Sequence, residues 1–372
     1  MEVIVLFKFR IWTVLLAIIS AILLGLSAKY KGINAFVYTE LINKFVREKM
    51  SVTSNKTALP ISEIILIIIV IMLLIVFINF IRNLFSPKKW IVYVARLFWG
   101  TFNIFSILLF IYIVVFGLNY QTPTLGDELV QKYNTRFSTN VNVNIDSSKR
   151  MDLFKQLSEK ASESKKVFVS SEKKYFDNLD EMYLQAEVGY NVISEAFPKL
   201  SGKYSRPKES LSNDMLNYFG LDGTYSMLMN EIVINTSIPK EYMPFILCKY
   251  MAYQRGVARE DEASFYAYLS CINNPDIRFK YAGYLAMTEM IIESLRSNDK
   301  IDFNLSFNTL DKEIKSDILK FEAYKGDFGS GKKITYGYKF YFKRINGDVR
   351  VDSVANQATN LVSIYYSLFP TV

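Results

Sequence analysis

Three stretches of the chain, Ile11–Ala28, Ile64–Ile81 and Leu97–Leu118, each run for at least 18 residues without a charged side chain. At about 1.5 Å of rise per residue such a run makes about 27 Å of helix, close to the thickness of the hydrocarbon core of a bilayer. The second run, ILIIIVIMLLIVFINFI, has no polar face, which a helix at the edge of a water-soluble core would need. The first run exceeds the apolar region of a signal peptide, and Leu26-Ser27-Ala28 is a poor cleavage site, so it is expected to persist as a span. Residues 1–118 are thus predicted to be a membrane domain of three transmembrane helices.

Over residues 119–372 the pattern changes to that of a globular domain, with no low-complexity tract and no repeat. Apolar residues at helical spacing among Lys, Glu and Ser predict amphipathic helices over Met151–Leu157, Tyr175–Phe197 and Arg278–Arg296. Met229–Asn235 reads as a short apolar strand. Pro244 is tolerated only in the first turn of a helix, so a helix over Met243–Arg255 is expected, closed by Gly256 as a left-handed cap. Another helix follows Arg259, with Glu260, Asp261 and Glu262 in its first turn, where the helix dipole favours carboxylates. Near the end, the aromatic-rich run Ile334–Phe342 predicts a strand, Asn346-Gly347 a turn and Val351–Leu368 a closing helix. The fold class is α+β, mainly α.

The net charge of +8 first suggests a nucleic-acid partner. Its distribution removes that reading: residues 1–118 hold 12 Lys/Arg against 4 Asp/Glu, and residues 119–372 hold 32 of each. The excess belongs to the membrane flanks, where it meets anionic lipid, so the predicted partner is the lipid bilayer and no nucleic acid. Lys8 and Arg10 precede the first span, and Arg82, Lys88, Lys89 and Arg96 crowd the short second loop; the first loop, Lys29–Pro60, also holds six cations but is longer. The positive-inside rule then places the N-terminus inside and residues 119–372 outside the cytoplasm.

The chain contains 0 His, which excludes imidazole ligands, histidine general bases and Ser/Cys-His couples from this polypeptide. Its two cysteines, Cys248 and Cys271, cannot form a four-thiolate zinc site and sit in apolar helical stretches, so buried free thiols are expected. Neither a G-x-S-x-G elbow nor a phosphate-binding glycine loop occurs. Against this background the run KYMAYQRGVAREDE, Lys249–Glu262, is informative. A metalloprotease helix carries H-E-x-x-H, two imidazoles one turn apart with a glutamate that activates the metal-bound water. Here those places hold Lys249, Tyr250 and Tyr253.

With LDGTYSMLMNEIVIN before that helix, QRGVAREDEASFYAYL after it, then RFKYAGYLA and INGDVRVDSVANQATNLVSIYY, the chain resembles a bacterial family of three-span membrane proteins, DUF3810, whose members look like zincin metallopeptidases. The resemblance implies a zincin-like, gluzincin-type domain and a place in the plasma membrane of a bacterium. It puts the first metal ligand at Lys249, the catalytic glutamate at Tyr250, the second ligand at Tyr253 and the third at Glu260, with Glu262 as competitor. Since three of these places carry the wrong side chains, the fold is expected to carry over, and no metal, no cofactor and no hydrolysis with it.

The predicted function is that of a membrane-anchored pseudopeptidase that binds a peptide, a protein or an envelope component. The ligand is expected along Met229–Asn235, by addition to an edge strand, with Glu231 either lining the same cleft or exposed. Lys249 is expected to fill the emptied metal position and pair with Glu260, because a buried carboxylate without its cation is costly; the plainer expectation for Glu260 and Glu262 is a solvated first turn. Tyr250 and Tyr253 are expected to fill the cleft with aromatic volume. The alternative is a membrane-bound hydrolase of non-zinc mechanism, using Lys249 and the Glu260/Asp261/Glu262 cluster as base and acid.

Overall fold

The computed structural model describes residues 2–84, 90–143, 147–298, 300–348, 350 and 353–369. Lys88 and Lys89 of the second loop, and Val351 at the expected start of the closing helix, lie outside the described residues. The fold is mainly helical. Three of its helices, α1 (Glu2–Lys29), α4 (Ile61–Leu84) and α5 (Trp90–Val115), contain segments long and apolar enough to cross a membrane, over Ile11–Lys29, Ile61–Arg82 and Leu97–Val115. Helix α1 packs along α5, where Thr13 Oγ1 donates to Asn103 Oδ1 at 2.7 Å. Along α4 the side chains from Ile65 to Ile78 are all exposed, the arrangement expected of a helix whose solvent is lipid.

The loop between the first two apolar helices is folded. It comprises a short α2 (Lys31–Ile33), a π-helical stretch over Asn34–Asn43 and α3 (Lys44–Ser54). Polar side chains tie it to the rest of the chain: Asn34 donates to the carbonyls of Leu118 and Gln121, and buried Arg47 donates to the carbonyl of Gln254 at 3.2 Å. Residues 31–54 and the C-terminal part of the chain are therefore one packed body.

After a 3-10 turn over Gly117–Tyr120 come α6 (Leu125–Phe137), α7 (Ser147–Ser170), α8 (Leu179–Ser194), β1 (Lys208–Glu209), α9 (Asn213–Phe219), β2 (Gly223–Ser226), β3 (Glu231–Ile234), α10 (Met243–Gln254), α11 (Glu260–Ile272), α12 (Ile277–Asn298), α13 (Lys300–Thr309), α14 (Lys312–Gly326), α15 (Lys332–Ile345) and α16 (Val354–Leu368). Helices α10, α11 and α12 form the centre, with α7, α8 and α16 packed around them. The helices predicted over Met243–Arg255 and Arg278–Arg296, and that after Arg259, correspond to α10, α12 and α11. The one predicted over Met151–Leu157 lies within the longer α7, and the one predicted over Tyr175–Phe197 contains the shorter α8. Pro244 lies in the first turn of α10, and Gly256 has φ +86°, a conformation that costs glycine little.

Two expectations are corrected. Strand β3 exists but is not an edge: the sheet order is β1-β3-β2, with β1 parallel to β3 (Lys208 opposite Val233) and β2 antiparallel (Gly223 opposite Ile234). All four β3 residues are buried, so no ligand strand can add to it. The run Ile334–Phe342 is not a strand but the body of α15. Along α15, Lys332, Thr335, Lys339 and Lys343 recur at a helical interval that aligns them on one side, and that side faces the protein.

Candidate functional site

A cleft of about 430 Å³ opens between α10, the first turn of α11, α12, α14 and α15. Its charged lining includes Asp222, Lys249, Glu260, Glu289, Lys325 and Lys339. Each sequence-predicted site residue can be placed relative to it.

Lys249, on the cleft side of α10, is buried, and its Nζ lies 3.4 Å from Asp222 Oδ2 and 5.6 Å from the centre of the Tyr250 ring. Asp222 precedes β2 and is its direct partner, not Glu260 or Glu262. Tyr250 donates its hydroxyl to the carbonyl of Gly223 at 2.6 Å, which occupies an acceptor of the sheet's outer strand. A Cβ at Gly223 would meet the Tyr250 ring at 3.2 Å and the Val233 carbonyl at 2.5 Å, so only glycine allows this approach. Tyr253 stands edge-on to Tyr250, centroids 5.6 Å apart, and stacks with Tyr225. Burial pushes both tyrosine hydroxyls well above their ordinary pKa. Tyr250 belongs to the buried core and Tyr253 packs, half-buried, against it.

The three carboxylates at the start of α11 have three different cationic partners. Glu260 faces the cleft, where Lys339 of α15 donates to both its oxygens, at 3.1 and 3.3 Å. Burial raises its pKa, but the ammonium groups of Lys339, Lys249 and Lys343 outweigh that and hold the carboxyl down to about 2. The cation expected at Glu260 is thus present but comes from α15 rather than α10. Asp261 is buried and makes a two-pronged pair with Arg350, at 2.7 and 3.0 Å. Glu262 is also buried, and it accepts from Arg259 at 3.0 Å and from the backbone N–H of Leu125 at 3.0 Å, capping α6. Neither Asp261 nor Glu262 lines this cleft; both are buried at the wall of a separate open cavity of about 780 Å³ beside α6 and α16.

Glu231 is corrected as well. It is fully buried away from the cleft and holds the α3–α4 connection to the sheet. Lys208 Nζ donates to it at 2.6 Å, Ser54 Oγ at 3.1 Å, Ser62 Oγ at 2.5 Å, and the N–H groups of Ile61 and Ser62 at 3.3 and 2.9 Å. Burial would raise its pKa, but Lys208 and Ser62 together hold it below the ordinary carboxylate range. Cys248 and Cys271 are free and buried.

Sequence reasoning missed Asp222, Lys339 and Arg350. Lys339 was hidden by the assignment of residues 334–342 to a strand; the recurrence of lysines at helical intervals was the available signal. Among the described residues, no group of three or more His, Cys, Asp or Glu side chains is arranged to hold a metal ion.

No curated protein and no solved structure matches this chain. A family model described as a protein of unknown function, DUF3810, matches residues 38–347, from the folded first loop through the end of α15. The chain therefore belongs to the DUF3810 family.

Proposed function

We propose that this is a membrane-anchored protein of zincin-like architecture whose cleft binds a peptide, a protein segment or an envelope component without hydrolysing it, facing the outside of the cell. One observation carries the reading: three of the four side chains at ligand or base positions are committed to structural bonds, and the fourth, Tyr253, is packed against Tyr250 and Tyr225. Lys249 pairs with Asp222, Tyr250 holds the carbonyl of Gly223, and Glu260 pairs with Lys339. A carboxylate already neutralised by an ammonium is a poor ligand for a divalent cation. The cleft mixes Phe245, Phe321 and Phe328 with charges of both signs, a lining suited to a polar chain with apolar side chains. Because β3 is enclosed and Gly223 is capped by Tyr250, the ligand is held by side chains rather than by strand addition.

The test is metal content and peptide hydrolysis of the full chain in detergent, purified with a histidine-free tag and incubated with zinc. Substoichiometric zinc and no hydrolysis are expected. One zinc per chain, lost in Glu260→Gln, would overturn the proposal and revive an enzyme reading.

A further inference from the structure

Helix α15 has none of its 14 residues buried. Its inner side, with Lys332, Thr335, Lys339 and Lys343, faces the cleft. On the opposite side Ile334, Tyr338, Tyr341 and Ile345, spaced by four, three and four residues, form one stripe. These four are 66%, 60%, 66% and 76% exposed. Lys333 and Arg344, also exposed, border the stripe, and the helix carries five cations and no carboxylate. Such a stripe in contact with water is unfavourable, and its cationic border excludes a purely apolar partner.

Where α15 is tethered identifies what covers it. At its C-terminal end Phe342 packs on Tyr112 in the last turn of α5, ring centroids 5.8 Å apart, Tyr112 hydrogen-bonds Asn346, and Gln121 donates to the Asn346 carbonyl at 2.7 Å. At its N-terminal end Thr335 donates to the Phe219 carbonyl of α9 at 2.7 Å. The segment leading into α9 is in turn held to the start of α4: Glu63 accepts from Ser210 Oγ and the Leu211 N–H, each at 2.7 Å. Met215 and Leu211 share with Leu66, Ile67 and Val70 of α4 an apolar groove of about 460 Å³. The two ends of α15 are therefore fixed beside the start of one apolar helix and the end of the next, which lie on the same side of the layer those helices cross.

From this geometry we infer that α15 is an interfacial helix seated on an anionic bilayer, with Ile334, Tyr338, Tyr341 and Ile345 in the headgroup layer and Lys333 and Arg344 on lipid phosphates. Its length, cationic composition and aromatic stripe fit that seat, and tyrosine is favoured at that depth. The occupant is a membrane rather than a soluble protein because both ends of α15 are tied beside the points where α4 and α5 emerge. The inference goes beyond the cleft's proposed role and rests on membrane insertion of the apolar helices.

The test uses the full chain in nanodiscs of phosphatidylcholine alone or mixed with phosphatidylglycerol. Since Cys248 and Cys271 are buried, bimane can be attached singly to Tyr341→Cys, to Leu73→Cys on α4, or to Glu163→Cys on α7, an exposed site paired along its own helix. Quenching by lipids spin-labelled near the headgroup should be about threefold greater at 341 than at 163 in the anionic discs. Lys333→Glu with Arg344→Glu should reduce it, each charge affecting partition by about fivefold. Equal quenching at 341 and 163 overturns the seat, including the case in which the stripe docks a protein. Strong quenching at 341 that ignores both lipid charge and the reversal variant overturns the anionic recognition. The label at 73, read with deep spin labels, reports membrane insertion separately, so its failure is distinguishable from failure of α15 to seat.

Discussion

Replacing Glu231 by Gln should destabilise the packed body more than any change in the cleft. The side chain is fully buried, its partner Lys208 is only 5% exposed, and five donors converge on its two oxygens from the sheet and from residues 54–62. Neutralising it leaves an ammonium buried without its counter-ion, a loss of about 3–5 kcal/mol when one partner of a buried pair is removed. At roughly 2–4 °C per kcal/mol for a body of this size, the apparent Tm should fall by about 6–20 °C. The assay is thermal unfolding of the full chain in detergent, with Glu163→Gln, whose pair with Lys160 is exposed, as control. Lys208→Met combined with Glu231→Leu should recover only part of the loss, since it removes both desolvated charges but leaves the Ser54, Ile61 and Ser62 donors without their acceptor. The pH dependence has a fixed sign: a carboxyl held below its ordinary value of 4.5 stabilises fully above that pH, and the contribution is lost as pH falls through the depressed native value. A Tm change in Glu231→Gln no larger than in Glu163→Gln would refute the reasoning.

Three other outcomes follow from single contacts. Gly256→Ala places a Cβ 2.4 Å from the Arg47 guanidinium at φ +86° and should cost about 1–3 kcal/mol, whereas Gly326→Ala, which meets nothing within 4 Å, should leave Tm unchanged or raise it. The Glu260–Lys339 pair should contribute under about 1 kcal/mol, because Lys339 is 45% exposed and water screens it. With Glu260 held down to about 2, that contribution is complete above 4.5 and disappears as pH falls through about 2, so Lys339→Met should move the acid-unfolding midpoint upward. Cys248 and Cys271 should resist maleimide in the native protein at neutral pH and react once it is denatured, since both are buried and burial pushes the Cys271 thiol well above its ordinary pKa.

The apolar runs and the α10–α11 corner were legible because one strong local rule decided each. Hydropathy over 18 residues leaves no alternative for α4, and Pro244 and Gly256 fix the ends of α10 through backbone geometry alone. Residues 334–342 were misread because Tyr, Phe and Ile favour strands locally, while their helical state depends on contacts with Phe219, Glu260 and Tyr112 far away in sequence. The partners of Lys249 and Glu260 were invisible for the same reason: Asp222 and Lys339 reach the cleft through tertiary packing, and a first-turn glutamate reads alike whether solvated or paired. Glu231 shows the converse, since a glutamate in an apolar strand can be buried only with a cation, but nothing local marks Lys208 as that cation.

Under the proposed reading, the losses at residues 249, 250 and 253 and the position of α15 are coupled. A zincin-type cleft that gives up its metal keeps an anionic Glu260, which favours a cation in the metal's place. Lys249 is adjacent but engaged by Asp222, so the direct compensation comes from Lys339, on the helix whose other side we place on lipid. One short helix then touches the bilayer on one face and neutralises the cleft on the other. A cationic group that displaced Lys339 from Glu260 would free the inner face of α15, and lifting α15 from the bilayer would expose Glu260 to such a group. By linkage, the two effects must have the same coupling free energy: whatever lipid seating contributes to holding the Glu260–Lys339 pair closed, a cationic ligand of the cleft must overcome.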